Sequence, residues 1–183
     1  MMANHVLTIK IELHYWFFDK NLSLRSISMK KISVKKGKIL QRKGELNSQA
    51  YKVRSGLLRS YSIDEQGKEH IFLFAPEDWI IADSSAKDVP SELYIDALED
   101  TECDVINKYE NLVLDPLKLM KRMAVLQNRV TMLMSASAID RYNHFLRTYP
   151  KIVQRVSQKM IASYLGITPE ALSRVKKESH RKR

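Results

Sequence analysis

The chain has 183 residues, 44% of them hydrophobic, and a net charge of +10, which suits one sensor-sized domain plus a small module. No run of 18 apolar residues is available to cross a membrane, and the apolar stretch Val6–Phe18 is broken by Lys10, Glu12 and His14 and lacks a small-residue cleavage site, so it does not read as a signal peptide. The single cysteine, Cys103, excludes an intramolecular disulfide and a cluster held by this chain alone. These features fit a cytoplasmic protein without a membrane partner. The charge is uneven: residues 138–183 hold 11 Lys/Arg against 3 Asp/Glu, and the rest of the chain holds 20 against 18. Such a segment is either a solvated basic tail or a phosphate-binding surface that gains affinity by releasing counterions.

From about Ser26 to Val105 the pattern is β. Short apolar or alternating runs (Ile39-Leu40, Tyr51–Val53, Leu57–Ile63, Ile71–Phe74, Leu93–Leu98) are separated by turn signals at Lys36-Gly37, Lys43-Gly44, Ser55-Gly56, Asp64–Gly67 and Ala75-Pro76. Asp64–Gly67 between two alternating runs predicts a hairpin. Many short strands at regular spacing predict a sandwich or roll. Ile71 and Leu73 alternate with Phe72 and Phe74, so one pair faces the roll and the other meets the long helix or a partner. Trp79 and Tyr94 are candidates to line a pocket with Ser84, Ser85 and Lys87, against the plainer reading of two core aromatics and an exposed loop.

The period changes at Asp115-Pro116, where Asp115 suits a cap and Pro116 a first helical position. Leu119, Met123, Leu126, Val130 and Leu133 follow at 4-3-4-3 spacing, a narrow seam that Ser137 would continue with a small side chain. The seam either packs on the β domain or is shared with a second copy of itself. The second reading is preferred, because a DNA-reading module downstream profits from two-fold symmetry. The expected organisation is a sensor domain over 1–115, a dimerisation helix over 116–137 and a DNA-binding domain over 138–183.

Ala138–Thr148 reads as a short amphipathic helix ended by Tyr149-Pro150. The strongest local signal is Gln158–Lys177. Ile161, Ala162 and Leu165 form the inner face of a first helix, and Ala162 is small enough for a second helix to cross closely. Gly166 accepts the positive φ that a sharp turn needs. Thr168 caps the second helix, Pro169 takes its first position, and Glu170 favours its positive end. Leu172 and Val175 pack back, leaving Glu170, Ser173, Arg174 and Lys177 outside. Any helical bundle can hold a glycine, a cap and spaced aliphatics. The offsets, the short polar outer face and the basic flanks together favour a helix-turn-helix. Gln158, Thr168, Pro169, Glu170, Ser173, Arg174 and Lys177 are therefore the candidate DNA-binding residues.

Catalysis finds no support. The five histidines (His5, His14, His70, His144, His180) are scattered, without HExxH or Cys-His spacing. No phosphate loop or dinucleotide fingerprint occurs, so no metal site or cofactor is expected. Cys103 lies in an apolar strand region and reads as a buried inert thiol.

The stretches Lys36–Glu45, Tyr51–Leu57 and Asp64–Trp79, in that order and spacing, resemble the cyclic-nucleotide-binding β-roll of the Crp/Fnr family of bacterial regulators. Arg141–Pro150 resembles the helix that opens the family's DNA-binding domain, and Gln158–Lys177 its helix-turn-helix. The resemblance covers the chain from about Phe18. It implies an α+β fold: an N-terminal double-stranded β-roll, a long dimerisation helix and a C-terminal winged helix-turn-helix, truncated here. It also implies that Glu170 and Arg174 read base edges, with Pro169 standing where several relatives carry another base-reading side chain. Two departures stand out. Members that bind cyclic AMP carry a Gly-Glu pair and then Arg-Ser/Thr, whereas Trp79–Lys87 lacks the pair and Leu93-Tyr94 occupy the later positions. Without that arginine no fixed guanidinium holds the cyclic phosphate. The six residues Glu178–Arg183 are too short for the family's β-hairpin wing and read as a basic tail. The expectation is a homodimeric, sequence-specific transcriptional regulator on an inverted-repeat operator in double-stranded DNA, not an enzyme, with RNA polymerase as a further candidate partner and a signal other than cyclic AMP. The alternative is a cyclic-nucleotide or other small-ligand sensor acting through protein contacts.

Overall fold

A computed structural model describes residues 29–109 and 116–181. Val6–Phe18, Ser26, the Asp115 cap, and Lys182 and Arg183 lie outside the described residues, as does the side chain of Leu119. Among the described residues, eight strands come first: β1 (Lys30–Val34), β2 (Ile39–Gln41), β3 (Ala50–Ser55), β4 (Leu58–Ile63), β5 (Glu69–Ala75), β6 (Ile80–Ala82), β7 (Tyr94–Ala97) and β8 (Thr101–Ile106). They form two four-stranded sheets, ordered β1-β8-β3-β6 and β2-β7-β4-β5, with antiparallel pairing throughout. Val53 and Cys103 of one sheet, with Leu58, Ile95 and Ala97 of the other, are almost fully buried. Gly56, between β3 and β4, has φ +90, and a Cβ there would meet the Asp100 carbonyl oxygen at 2.5 Å. Only glycine lets the two turns approach this closely.

The β4–β5 hairpin turns at Asp64–Gly67 as predicted. The Asp64 carboxylate accepts the backbone N–H groups of Gln66 (3.0 Å) and Lys68 (2.9 Å). The register shifts between Ser60 and Tyr61, which face Leu73 and Ile71 and leave Phe72 as the extra residue. The bulge resolves the expected alternation. Phe72 stays half exposed, with the Arg129 guanidinium 5.5 Å from its ring centre. Phe74 is fully buried, and its partners are not the long helix but Phe145, Tyr149 and Tyr164, at ring-centre distances of 5.7–6.3 Å.

Four helices follow: α1 (Pro116–Ser135), α2 (Ala138–Thr148), α3 (Gln158–Leu165) and α4 (Pro169–Arg181). Ser137 does not extend the α1 seam. It is extended, at φ −65 and ψ 159, and its hydroxyl accepts the Asp140 N–H as the cap of α2. A serine side chain competes well for free helix-start donors. Glu178–Arg181 is not a loose tail either, since α4 continues to Arg181. Glu, Ser, His and Arg carry no helix-breaking geometry, and propagating a formed helix is easier than starting one.

The C-terminal helices dock on the roll. Phe74, Phe145, Tyr149, Tyr164 and Trp79 share one buried cluster. The Ser163 hydroxyl accepts the Ile71 N–H (2.9 Å) and donates to the Glu69 carbonyl (2.7 Å), along the free edge of β5. Arg155, in the α2–α3 connection, donates to Glu99 (2.9 and 2.7 Å), Glu77 (3.0 and 2.9 Å) and the Gly56 carbonyl (3.0 Å).

Candidate nucleic-acid interface

The helix-turn-helix is built by short-range rules. Ser157 caps α3 by accepting the Met160 N–H at 3.2 Å. Ile161, Ala162, Tyr164 and Leu165 are buried. Gly166 ends the helix in the left-handed region, at φ 64 and ψ 35, with its N–H directed at the Ala162 and Ser163 carbonyls. The Ile167 N–H also reaches the Ala162 carbonyl, at 3.1 Å, so the last carbonyls of α3 are satisfied. Thr168 Oγ1 accepts the Ala171 N–H at 3.2 Å, capping α4. Leu172 and Val175 are buried.

Burying that face leaves the other in solvent. Thr168, Pro169, Glu170, Ser173, Arg174 and Lys177 are all exposed. The Glu170 carboxyl is held below its ordinary range by its own backbone N–H, then by the Thr168 hydroxyl and the Arg174 charge, so it is an anion ready to accept. Gln158 is exposed at the opposite helix start, where its carbonyl oxygen accepts Lys176 Nζ at 3.1 Å. That contact sets it apart from the first turn of α4. Arg174, Lys177, Glu178 and Arg181 line one open recess of about 450 Å³. Arg181 is a cation that sequence reasoning assigned to a tail. Its 7-residue separation from Arg174 was the signal, since that spacing returns to the same helix face. Arg155, which the sequence counts among the basic excess, is committed to carboxylates and withdrawn from any phosphate.

Chemically, this surface offers the cations Arg174, Lys177 and Arg181 as hydrogen-bond donors, and the Glu170 and Glu178 carboxylates as acceptors, on a rigid rod. A planar guanidinium such as that of Arg174 matches two acceptors on one guanine edge, and a carboxylate matches a cytosine amino group.

The other sites fall as follows. On α1, Met123, Leu126 and Val130 are exposed, together with Leu117, Met120 and Met134. Leu133 is half-buried and lies 3.7 Å from where a Cβ on Gly166 would stand, so it touches its own helix-turn-helix. The five pocket candidates do not converge. Trp79 lies against Tyr149, centroids 5.4 Å apart, between roll and helices. Tyr94 stacks on Tyr61 at 5.3 Å and 19°. Ser85 Oγ sits 3.1 Å from Ser48 Oγ. Ser84 and Lys87 are exposed. Asp83, buried beneath this loop, accepts the backbone N–H groups of Ser85, Glu92 and Leu93 at 2.7, 3.0 and 2.9 Å. Burial raises its pKa, but the Ser85 hydroxyl and these N–H groups outweigh it and leave it lowered. Among the described residues no helix is long and apolar enough to cross a membrane.

Known proteins share this arrangement of antiparallel β-roll, long helix and helix-turn-helix. No protein-family model matches the chain. The fumarate and nitrate reduction regulatory protein of Yersinia pestis is 26% identical over 173 residues, covering 83% of this chain and 69% of that protein. The structure of FixK2 from Bradyrhizobium japonicum superposes with a TM-score of 0.66 at 20% identity, over 85% of this chain and 86% of that one. A Crp/Fnr-family transcriptional regulator from Thermus thermophilus gives 0.68 at 16% identity, over 84% and 87%. In sequence and fold the chain is similar to these Crp/Fnr-type transcriptional regulators.

Proposed function

We propose that the protein regulates transcription by binding an inverted-repeat operator as a homodimer, reading bases with Glu170 and Arg174 and contacting phosphate with Lys177. The observation that carries this reading is the exposed polar face of α4, held out by a capped helix-turn-helix whose opposite face is buried. The apolar side chains exposed along α1 support a dimer, since side chains of that size in a continuous row are usually covered. The signal is something other than cyclic AMP. Leu93 and Tyr94 stand where the cyclic-AMP binders carry Arg-Ser/Thr, and neither side chain supplies a guanidinium for the cyclic phosphate.

Selection from randomised duplexes at two salt concentrations tests the reading. An enriched inverted repeat with half-site centres about 10 bp or a multiple apart is expected, with affinity falling steeply as salt rises. Salt-insensitive binding without an enriched repeat would overturn it.

A further inference from the structure

α1 ends at Ser135 and α2 begins at Ala138, so Ala136 and Ser137 alone join the long helix to the DNA-reading module. Each contributes two soft backbone torsions, enough for the module to swing. Arg141 spans this joint. Its Nε donates to the Ala136 carbonyl at 3.1 Å and its Nη1 to the Leu165 carbonyl at 3.2 Å. On the opposite side Arg155 and Ser163 reach the roll.

We propose that Arg155 and Ser163 are positioning residues for operator recognition: they lock the helix-turn-helix onto its own β-roll and so set the separation and angle of the two α4 helices in a dimer. The proposal rests on the dimeric DNA-binding reading above. The aromatic cluster holds the two parts together, but apolar contact is non-directional and tolerates sliding. The polar contacts are directional. Arg155 meets three separate segments of the roll: Gly56 before β4, Glu77 after β5 and Glu99 after β7. One planar group tied at three places fixes rotation as well as distance. Ser163 fixes the remaining slip along the strand, because its hydroxyl engages an N–H and a carbonyl of β5 as a neighbouring strand would. Arg155 keeps only 21% side-chain exposure and faces carboxylates, so it acts through geometry and not through contact with phosphate.

The measurable consequence is selectivity for half-site spacing. A dimer with fixed recognition helices accepts one separation, whereas modules swinging on a two-residue joint accept several. The test measures binding to inverted half-sites whose spacer is changed one base pair at a time, and to a single half-site. The proteins are wild type, Glu77→Gln/Glu99→Gln and Ser163→Ala. The carboxamide pair keeps side-chain size, and Ser163→Ala removes one oxygen, so a folded variant remains even where truncating Arg155 fails. Wild type should lose about tenfold in affinity per base pair of mis-spacing. Both variants should flatten that profile to within about threefold while holding single-half-site affinity unchanged. A profile as sharp in both variants as in wild type would overturn the positioning role alone. Failure of wild type to bind any inverted repeat would overturn the parent reading, and this one with it.

Discussion

Arg174 and Lys177 share the exposed face of α4, yet they should fail differently. Arg174 lies nearer the start of the helix, where a recognition helix meets base edges, and its fork can take O6 and N7 of one guanine. Arg174→Ala should cost about 1–3 kcal/mol on the operator and relax base choice at one position per half-site. Lys177 lies a turn later, and on the proposed reading it meets the phosphate backbone. Lys177→Ala should weaken all sequences alike and lower the salt slope by about one per site. Uniform loss without relaxed base choice in Arg174→Ala, seen in a half-site library, would mean that α4 enters the groove differently. Cys103 is fully buried, and burial pushes its thiol up to about 11, so little thiolate forms at neutral pH. A thiol reagent should label the protein only after unfolding, and stoichiometric labelling under native conditions would contradict the burial. Arg59 is a residue that sequence reasoning missed. It is buried and donates to both oxygens of Asp96, at 2.8 and 2.9 Å, and to Glu69. An arginine in an alternating strand reads as solvent-facing. Here it is enclosed by Asp96, Glu69 and the Tyr61 ring, with Asp96 37 positions away, which no local pattern shows. Arg59→Met should leave the buried Asp96 uncompensated and cost about 3–5 kcal/mol, read as a lower denaturant midpoint.

At the scale of elements, legibility followed the range of the interactions. The helix-turn-helix was readable because its rules act within a few residues: Gly166 at positive φ, Thr168 as cap, Leu172 and Val175 turned inward. Which α1 side chains stay exposed within the chain was only partly readable. Leucines and methionines crowd several faces of Pro116–Ser135, so Leu133 looked equivalent to Val130, although it faces Gly166 while Met134 is 81% exposed. Strands β1, β6 and β8 were not among the runs singled out: β1 begins with two lysines, β6 is the short Ile80–Ala82, and β8 carries Glu102 and Asp104. The docking contacts were invisible, since Arg155 meets residues 56 and 78 positions away. Gly166→Ala isolates the local rule. A Cβ there would find its nearest atoms, Arg141 Nη1 and Leu133 Cδ2, at an unstrained 3.7 Å, so backbone strain alone decides. The cost should be about 1–2 kcal/mol, seen as a lower melting temperature with the fold retained. The Glu77–Arg155 pair adds a pH dependence. Burial raises the Glu77 pKa, but the Arg155 hydrogen bond and charge outweigh it and leave it lowered from 4.5. A carboxylate depressed in the folded state stabilises docking above about pH 4.5 and loses that contribution as pH falls through its folded value. Hydrogen-exchange protection at β5, relative to the intrinsic rate at each pH, should therefore fall in acid, and less so in Glu77→Gln.

For the whole molecule, assembly turns on what covers α1. The helix spans 20 residues, about 30 Å at 1.5 Å per residue. Its inward side carries Arg129, stacked 4.1 Å from the Tyr164 ring centre, and Leu133 beside the helix-turn-helix. Its outward side carries Leu117, Met120, Met123, Leu126, Val130 and Met134, all exposed in the single chain. Met123, Leu126 and Val130 recur at gaps of 3 and 4, the 3.5-residue mean spacing of a helix that packs on a copy of itself. Pairing there would set two α4 helices about a two-fold axis, the symmetry an inverted repeat demands. Leu126→Glu with Val130→Glu places like charges opposite each other in the middle of that seam. Since both side chains are exposed within the chain, the substitutions should leave the monomer folded and its melting curve close to wild type. The expected outcome is a monomer by light scattering that has lost tight binding to the two-half-site operator, while keeping the weak affinity of one module for one half-site. Wild type already monomeric at micromolar concentration would remove the dimer and require another occupant for the seam.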